Sequence, residues 1–254
     1  PDERRLLESL PEAVSLLEEL PEPDRRLVRS IVVTLTQGME MDLTVFPPED
    51  SDDLGALKDA GALDRYIYYV AGCVGEFWTS ISMAHIPALS GWDSQRMSDL
   101  GVRFGKALQL TNVLRDLPND LRMGRCYLPE DHIADANLIP RDLLDPAAGP
   151  KARPVLVAGI RTALEHYAAA EQYILAIPRR CVRLRLAAIW PLLIGLATLA
   201  RLAQNREWLD PGRPSKVSRR WGYRMMALSL PCSMSNVLLG AWIRRLRRRV
   251  HKAL

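Results

Sequence analysis

Apolar residues recur every three to four positions along most of the chain, which is the spacing of one face of an α-helix. Prolines and acidic loops interrupt this pattern, and no segment alternates apolar and polar residues with a period of two. The helices predicted from the spacing cover about residues 6–20, 24–44, 57 or 64 to 84, 93–117, 155–177, 180–204 and 216–250. The pattern therefore predicts an all-α protein with one core.

Proline sets several of the predicted boundaries. Residues 118–154 are rich in Pro, Gly and Asp and predict loops with short helices. Pro231 is expected to interrupt the last helix. The longest apolar run, Leu186–Ala200, has 15 residues, against the roughly 20 that cross a bilayer. We therefore interpret it as a buried core helix.

The composition restricts the classes of protein to which the chain can belong. With 254 residues, 48% of them apolar and 25% charged, the chain is long and apolar enough to fold around its own core. Its four cysteines form no CxxC pair, so we expect a reduced, cytoplasmic compartment. Its four histidines stand alone in the sequence, which argues against a zinc site.

The net charge of +4 is unevenly distributed. Residues 244–252 alone carry +6, so the rest of the chain is mildly acidic at −2. A protein of this kind is not coated in positive charge, and we expect no nucleic-acid partner. Residues 235–254 predict a basic amphipathic helix. It is either a solvated helix end or a contact with an anionic membrane surface, which would place the protein peripherally on the inner face of a membrane.

One polar stripe has the residue types of a magnesium and diphosphate site. At about 100° per residue, Gln109, Asn112, Asp116 and Asp120 fall within an arc of about 80° on an otherwise apolar helix. Carboxylates four residues apart repel each other, and carboxylate and amide oxygens suit Mg²⁺. Arg115 lies beside them and can bind diphosphate oxygens in a planar fork. The alternative is a solvated polar stripe, and the spacing alone leaves both open.

Two features qualify this motif. Pro118 disfavours helical geometry at the preceding residue and predicts that Asp120 projects from a kinked turn. A second pair of acids at the same spacing, Asp131 and Asp135, has no amide neighbours on its helix face. We interpret that second pair as a solvated surface.

A second motif combines tyrosines with small residues over 66–78. Gly72 and Gly75 each cost a helix about 1 kcal/mol relative to alanine, so they need a reason. Ala71 and Gly75 are four residues apart and share a helix face. They permit either close helix packing or a smooth wall for an apolar chain, and nearby tyrosines could stabilise a cation.

Taken together, the motifs resemble those of the squalene/phytoene synthase family. They read YxxYVAGxVG over 66–75, QxTNxxRDxxxD over 109–120 and GRCYLP over 124–129, in the family's order and separation. The apolar run 186–200 resembles the matching core helix. The resemblance implies an isoprenoid-synthase fold, with a single helical domain over 1–254 around a central cavity. It also implies head-to-head condensation of two prenyl diphosphates.

The resemblance also implies roles for individual residues. The implied catalytic residues are Tyr66, Arg115, Asp116 and Asp120. The implied Mg²⁺ ligands are Asn112, Asp116 and Asp120. The implied substrate contacts are Ala71, Val74 and Gly75 along the prenyl channel, with Gln109, Asn112, Arg125 and Lys216 at the diphosphate.

The family has two Asp-rich motifs, and the sequence shows only the second. Residues 1–5 resemble the segment just after the first motif, and the acidic loop 49–53 lacks its context. We therefore expect the chain to lack the N-terminal helices that carry this motif. The alternative is a protein that never had them.

Segments 115–129 and 209–220 are more similar to bacterial squalene synthases than to phytoene synthases. This predicts farnesyl diphosphate as the substrate, a cyclopropyl diphosphate as the intermediate and squalene as the product. The resemblance then implies Mg²⁺ and NADPH as cofactors. Phytoene or dehydrosqualene is the alternative product. A non-catalytic assembly protein of the same fold is the alternative class.

Overall fold

The computed structural model describes residues 8–48 and 51–254, and most of these residues are helical, which confirms the predicted all-α class. The α-helices are α1 Leu10–Glu19, α2 Glu22–Val45, α3 Ala60–Ile67, α4 Cys73–His85, α5 Ser94–Asp120, α6 Glu130–Asp135, α7 Gly149–Ala176, α8 Val182–Gln204, α9 Arg219–Ser233 and α10 Asn236–His251. The resemblance at residues 1–5, the apolar residues 6 and 7, and residues 49 and 50 of the acidic loop lie outside the described residues.

Helix α5 is the central helix of the fold. It packs against α4 and α7 and also contacts α8. Its buried leucines and valine, among them Leu110, Val113 and Leu114, join the main hydrophobic core. The helix begins where the sequence predicted, because the side chain of Asp93 accepts a hydrogen bond from the Arg96 amide at 3.1 Å and caps the first turn.

The predicted break at Pro118 is wrong. Helix α5 runs through this proline to Asp120 without a cis peptide bond. Proline removes one backbone hydrogen bond, but Leu117 and Pro118 are both buried in the core. Tertiary packing therefore stabilises a helical turn that the local sequence disfavours. As a result, Asp120 stays on the same helix as Asp116.

The helix predicted over 57–84 consists of three consecutive pieces. Helix α3 is followed by a π-helical turn, Tyr68–Gly72, and then by α4. A π-helical turn inserts an extra residue into the helix and is frequent at functional sites. The periodicity of the sequence gave no sign of this insertion.

Two short strands lie outside the helical pattern. Strand β1, Gly55–Leu57, pairs in parallel with β2, Arg125–Pro129, with Gly55 opposite Arg125. Between the strands and α5, Gly124 has a φ of 76°, in the left-handed region that favours glycine. Its carbonyl accepts a hydrogen bond from the Gly55 amide at 2.9 Å. Gly124 therefore turns the chain from α5 into β2.

The C-terminal region forms a helical hairpin. The predicted interruption of the last helix is present but lies just after Pro231, since α9 continues to Ser233 and α10 begins at Asn236. The Ser235 side chain caps α10 by accepting a hydrogen bond from the Leu238 amide at 3.4 Å. Both helices of the hairpin pack against α8.

Helix α8 contains the long apolar run of the sequence. It is the one helix in the described part of the chain that is long and apolar enough to cross a membrane, and 61% of its most apolar stretch is buried inside the fold. Leu192, Leu193 and Leu196 are fully buried. In this fold α8 is a core helix.

Candidate active site

A cavity of about 350 Å³ opens between the π-helical turn, α4, α5 and α8. Its walls are mostly apolar, and Ala71, Val74 and Gly75 all lie on them, where the sequence predicted a channel. Tyr173 of α7 closes one side. An apolar cavity of this size in a helical fold is suited to a hydrocarbon chain.

Very close helix packing forms one wall of the cavity. A Cβ atom added to Gly75 would lie 1.9 Å from the carbonyl oxygen of Gly101 on α5. A Cβ atom on Gly105 would likewise lie 2.0 Å from the carbonyl oxygen of Ala71. Real side chains do not approach so closely, so the small residues allow the two backbones to touch. The two explanations of this motif are thus compatible, since Gly75 serves packing and also lines the cavity.

The cavity continues into the predicted polar stripe. On α5 it is lined by Gly101, Phe104, Gly105, Leu108 and Gln109. At about 100° per residue, Asn112 and Asp116 fall within the arc of these lining residues, and Asp120 falls about 20° beyond it. All three polar side chains are half-buried, whereas Leu110, Leu114 and Leu117 on the other faces are buried. The stripe is therefore a continuation of the cavity wall, with Gln109 at the junction.

The two carboxylates of the stripe have different surroundings. Asp116 is paired with its neighbour Arg115, whose Nε donates to Oδ1 at 2.8 Å. This hydrogen bond raises the pKa of Arg115. Asp120 makes no ion pair within the described residues. Burial, and then the charge of Asp116, raise the pKa of Asp120 from 3.8 to about 6.

Strand β2 brings a second group of polar residues to Asp120. Arg125 is its first residue and lies 4.0 Å from a carboxylate oxygen of Asp42 on α2. Both Arg125 and Asp42 act electrostatically on Asp120. The predicted substrate contact Arg125 and the predicted metal ligand Asp120 therefore lie in one cluster.

Two stacked tyrosines complete this cluster. The ring centroids of Tyr66 and Tyr127 are 4.7 Å apart at an interplanar angle of 26°. The Tyr127 hydroxyl donates to Asp42 at 3.3 Å. Burial raises the pKa of Tyr66, and the neighbouring Tyr127 adds to this shift. Tyr66 is therefore a neutral phenol at physiological pH, able to donate a hydrogen bond but unsuited to act as a base.

Asp42 and Tyr127 are the two site residues that the sequence motifs did not identify. Asp42 lies near the end of α2, about 70 residues before the stripe, and burial raises its pKa. Tyr127 lies within GRCYLP, where alternation along β2 turns it towards Phe46 and Tyr66. No distinctive signal in the sequence marked Asp42, because Glu40 and Thr44 also lie in the last two turns of this helix.

Lys216 is the predicted site residue that the structure leaves apart. It lies in the exposed loop before α9. Within the described residues, no side-chain contact joins Lys216 to the stripe or to the Asp42 cluster. Its role at a diphosphate stays a prediction from the sequence.

The donor set of the stripe fits Mg²⁺. Two carboxylates and an amide oxygen lie on one helix face. The raised pKa of Asp120 reflects burial first and then repulsion from Asp116, and a divalent cation would offset both. In the described part of the chain, no group of three or more His, Cys, Asp or Glu side chains forms a metal site of protein ligands alone. Mg²⁺ tolerates such a set, because it keeps several waters and binds substrate phosphates.

Residues 1–221 match the family model described as squalene/phytoene synthase. Presqualene diphosphate synthase of Zymomonas mobilis is 34% identical over 192 residues, or 74% of this chain and 57% of the relative. Chloroplastic phytoene synthase of an Oncidium hybrid is 32% identical over 176 residues, or 69% of this chain and 38% of the relative. The chain thus spans well under two thirds of either relative.

Solved structures show the same fold. The complex of TcSQS with the ligand BPH1237 has a TM-score of 0.75 at 20% identity, covering 100% of this chain and 75% of that chain. The TM-score shows a shared helical architecture. At 20% identity, the likeness alone does not establish a shared reaction.

Proposed function

The chain belongs to the squalene/phytoene synthase family, and we propose that it binds prenyl diphosphates, with the diphosphate at the polar stripe of α5 and the prenyl chain in the adjoining cavity. The observation that carries this proposal is the continuity of the two parts. One face of α5 is apolar and lines the cavity up to Leu108, and it turns polar from Gln109 onwards. A prenyl diphosphate has the same division between an apolar and an anionic end.

The family consists of prenyltransferases that join two prenyl chains head to head, and we propose this reaction for the whole protein. Arg115 and Arg125 would contact the diphosphate oxygens, for which the guanidinium fork is suited. Asn112, Asp116 and Asp120 would hold Mg²⁺. When bound, Mg²⁺ would supply positive charge that stabilises the departing diphosphate.

The rest of the site would protect the allylic cation left by diphosphate departure. Apolar walls of Ala71, Val74 and Gly75 exclude water, which would otherwise quench the cation. Tyr66 is buried and neutral, so its ring and hydroxyl offer polarity without a basic group that would remove a proton from the cation before the second chain attacks. The double bond of the second chain, which keeps its own diphosphate, then attacks the cation. Loss of one proton from the attacked carbon, with the released diphosphate as an available acceptor, closes the ring of the cyclopropyl diphosphate.

For the substrate we propose farnesyl diphosphate, with squalene as the final product when NADPH supplies hydride. The support is the similarity of segments 115–129 and 209–220 to bacterial squalene synthases. Relatives named for phytoene and for presqualene diphosphate match at similar identity, so phytoene and dehydrosqualene stay the alternative products.

Product identification tests this proposal. The protein is incubated with farnesyl or geranylgeranyl diphosphate and Mg²⁺, with and without NADPH, and products are identified by mass spectrometry. We expect a cyclopropyl diphosphate from farnesyl diphosphate, and squalene once NADPH is added. A product from geranylgeranyl diphosphate alone would favour phytoene. Mg²⁺-dependent binding of both substrates without turnover would favour the non-catalytic assembly protein.

A further inference from the structure

The C-terminal 44 residues carry positive charge without any acidic residue. Residues 211–254 contain nine arginines, two lysines and no Asp or Glu. They contribute +11 to a chain of net charge +4, so residues 1–210 carry −7. The difference in charge between the C-terminal region and the rest of the chain is larger than residues 244–252 alone suggest. The reason is that α9 and the loop before it are also basic.

The two helices of the hairpin form a shallow groove of about 270 Å³ on their outer face. Its floor contains the indole rings of Trp221 from α9 and Trp242 from α10. Its basic residues are Arg224, Arg245 and Arg249. These three arginines are exposed, and none of them pairs with an acid anywhere in residues 8–48 and 51–254. By contrast, Arg244 and Arg247 point the other way and pair with Glu171 of α7 at 3.2 and 3.0 Å.

Large apolar side chains are exposed in the groove, at Leu228, and towards the turn of the hairpin. Leu228 and Leu238 are 57% and 56% exposed, and Val237 is 76% exposed. Leu230 and Met234 are also exposed. Several large apolar side chains exposed on one hairpin are a feature of interaction surfaces.

The structure changes how helix 235–254 could meet a membrane. The sequence left open whether this helix is a solvated helix end or contacts an anionic membrane surface, and in a membrane contact its apolar residues would be the ones to meet lipid. Instead, Leu239, Ile243, Leu246 and Val250 are buried, and α10 packs on α8 and α7. The exposed apolar residues of the hairpin belong to α9, to the turn between the two helices and to the first turn of α10.

We infer that the outer face of the α9–α10 hairpin docks on the surface of an anionic lipid bilayer. Indole rings prefer the boundary between headgroups and acyl chains, and arginine can place its stem among apolar groups while its charge stays with lipid phosphates. Leu228, Val237 and Leu238 would enter the apolar layer. A nucleic acid would match the charge and give the aliphatic side chains no partner, so the combination favours lipid.

Vesicle binding of the unaltered protein is the first test. Sedimentation is measured with vesicles of phosphatidylcholine containing 30% phosphatidylglycerol, and with pure phosphatidylcholine. We expect binding to the anionic vesicles that weakens as salt rises, because screening shortens the reach of the arginines. Equal binding to both vesicles, or no binding to either, would overturn the inference.

Charge variants locate the docking face. Arg224→Gln/Arg245→Gln/Arg249→Gln removes three charges from the groove, and we expect the partition coefficient to fall about 100-fold, equivalent to about 3 kcal/mol. The matched control, Lys58→Gln/Arg96→Gln/Arg161→Gln, removes three exposed charges elsewhere and should bind normally. Equal losses in both triple variants would show attraction to total charge and contradict a defined face.

The apolar contribution is tested separately. Leu228→Ser/Leu238→Ser keeps every charge, and we expect at least a tenfold loss of vesicle binding, with binding to heparin unchanged. Unchanged vesicle binding would mean that the aliphatic residues do not enter lipid. Tighter binding to heparin than to anionic vesicles would indicate a polyanion or acidic protein as the partner.

Circular dichroism confirms that each variant is folded. Deletion of residues 244–254 is avoided, because it removes buried Leu246 and Val250.

Discussion

At the scale of single residues, the site depends on how two acids one helical turn apart are neutralised. Asp116 is paired with Arg115, whereas Asp120 is half-buried near the carboxylates of Asp116 and Asp42. Asp42 approaches from α2 and adds a third carboxylate, with Arg125 between the acids. Without a bound cation, this part of the protein contains unbalanced negative charge, and the imbalance can be measured.

Replacing Asp120 with asparagine should stabilise the metal-free protein. Its folded-state pKa of about 6 lies above the ordinary value of 3.8, so the stability linked to its neutral form is full below pH 4 and lost as pH rises through 6. At pH 8 we expect Asp120→Asn to raise the free energy of unfolding by about 1–2 kcal/mol, after allowance for solvent screening. The gain should vanish below pH 4.

Denaturant unfolding at pH 4, 6 and 8 measures this difference. Asp135→Asn is the control, since Asp135 lies exposed on α6 and should show no pH-dependent gain. Mg²⁺ should stabilise the unaltered protein and leave Asp120→Asn nearly unchanged. An Asp120→Asn protein that is less stable than the original at pH 8 would contradict this description of the site.

At the scale of elements, the cavity depends on the contact between α5 and the segment that includes the π-helical turn and α4. Helix periodicity predicted both helices, and a family motif marked the small residues. Sequence alone gave neither the π-helical turn nor the passage of α5 through Pro118, because tertiary packing decides both. The sequence motifs did not identify Asp42 either, because only the tertiary packing of the folded chain brings α2 close to β2.

Adding one methyl group at Gly75 should damage this contact. Its Cβ would overlap the Gly101 carbonyl oxygen, which belongs to the backbone and has little room to move. We expect Gly75→Ala to lower the free energy of unfolding by about 3 kcal/mol. Gly222→Ala in α9 is the control, because no atom lies within 4 Å of its added Cβ. There the usual helix preference should give a gain of up to about 1 kcal/mol.

Thermal unfolding compares the two glycine variants. Equal effects at Gly75 and Gly222 would mean that the close approach of the helices is not required. A stable Gly75→Ala protein would give the same answer more directly.

Enlarging Ala71 tests the cavity itself. Its side chain lies on the cavity wall, so Ala71→Leu should narrow the space for a prenyl chain. We expect at least tenfold weaker binding of farnesyl diphosphate and a smaller loss for geranyl diphosphate, measured by calorimetry. Val74→Ala, which widens the same wall, should not weaken farnesyl binding. Equal losses for the long and short chains in Ala71→Leu would place the prenyl chain elsewhere.

At the scale of the whole molecule, an acidic body carrying the site is joined to a basic C-terminal hairpin. The all-α class and the cavity-lining positions followed from sequence, because helix periodicity and the combined motifs are specific. The sequence did not predict which face of the hairpin packs against the core and which is exposed. Its apolar stripe could pack inward or face lipid, and only the contact with α8 and α7 decides this.

Glu171 should be important for attaching the hairpin. It is 8% exposed and pairs with both Arg244 and Arg247 of α10. We expect Glu171→Gln to lower the free energy of unfolding by about 1–2 kcal/mol, because it leaves two arginines without their anion. The exposed pair of Glu207 and Arg213 provides a control, and Glu207→Gln should change stability by less than about 0.5 kcal/mol. Similar losses in both variants would rule out a special role for Glu171.

The most direct test of the central claim is calorimetric titration with a non-ionising analogue of farnesyl diphosphate, with and without Mg²⁺. The claim is that the acids of α5 bind a magnesium diphosphate beside an apolar cavity. It predicts Mg²⁺-dependent binding that Asp116→Asn weakens at least tenfold, while Asp135→Asn binds normally and both variants keep their helical circular dichroism. Binding that is equally tight in Asp116→Asn, or equally tight without Mg²⁺, would contradict the claim.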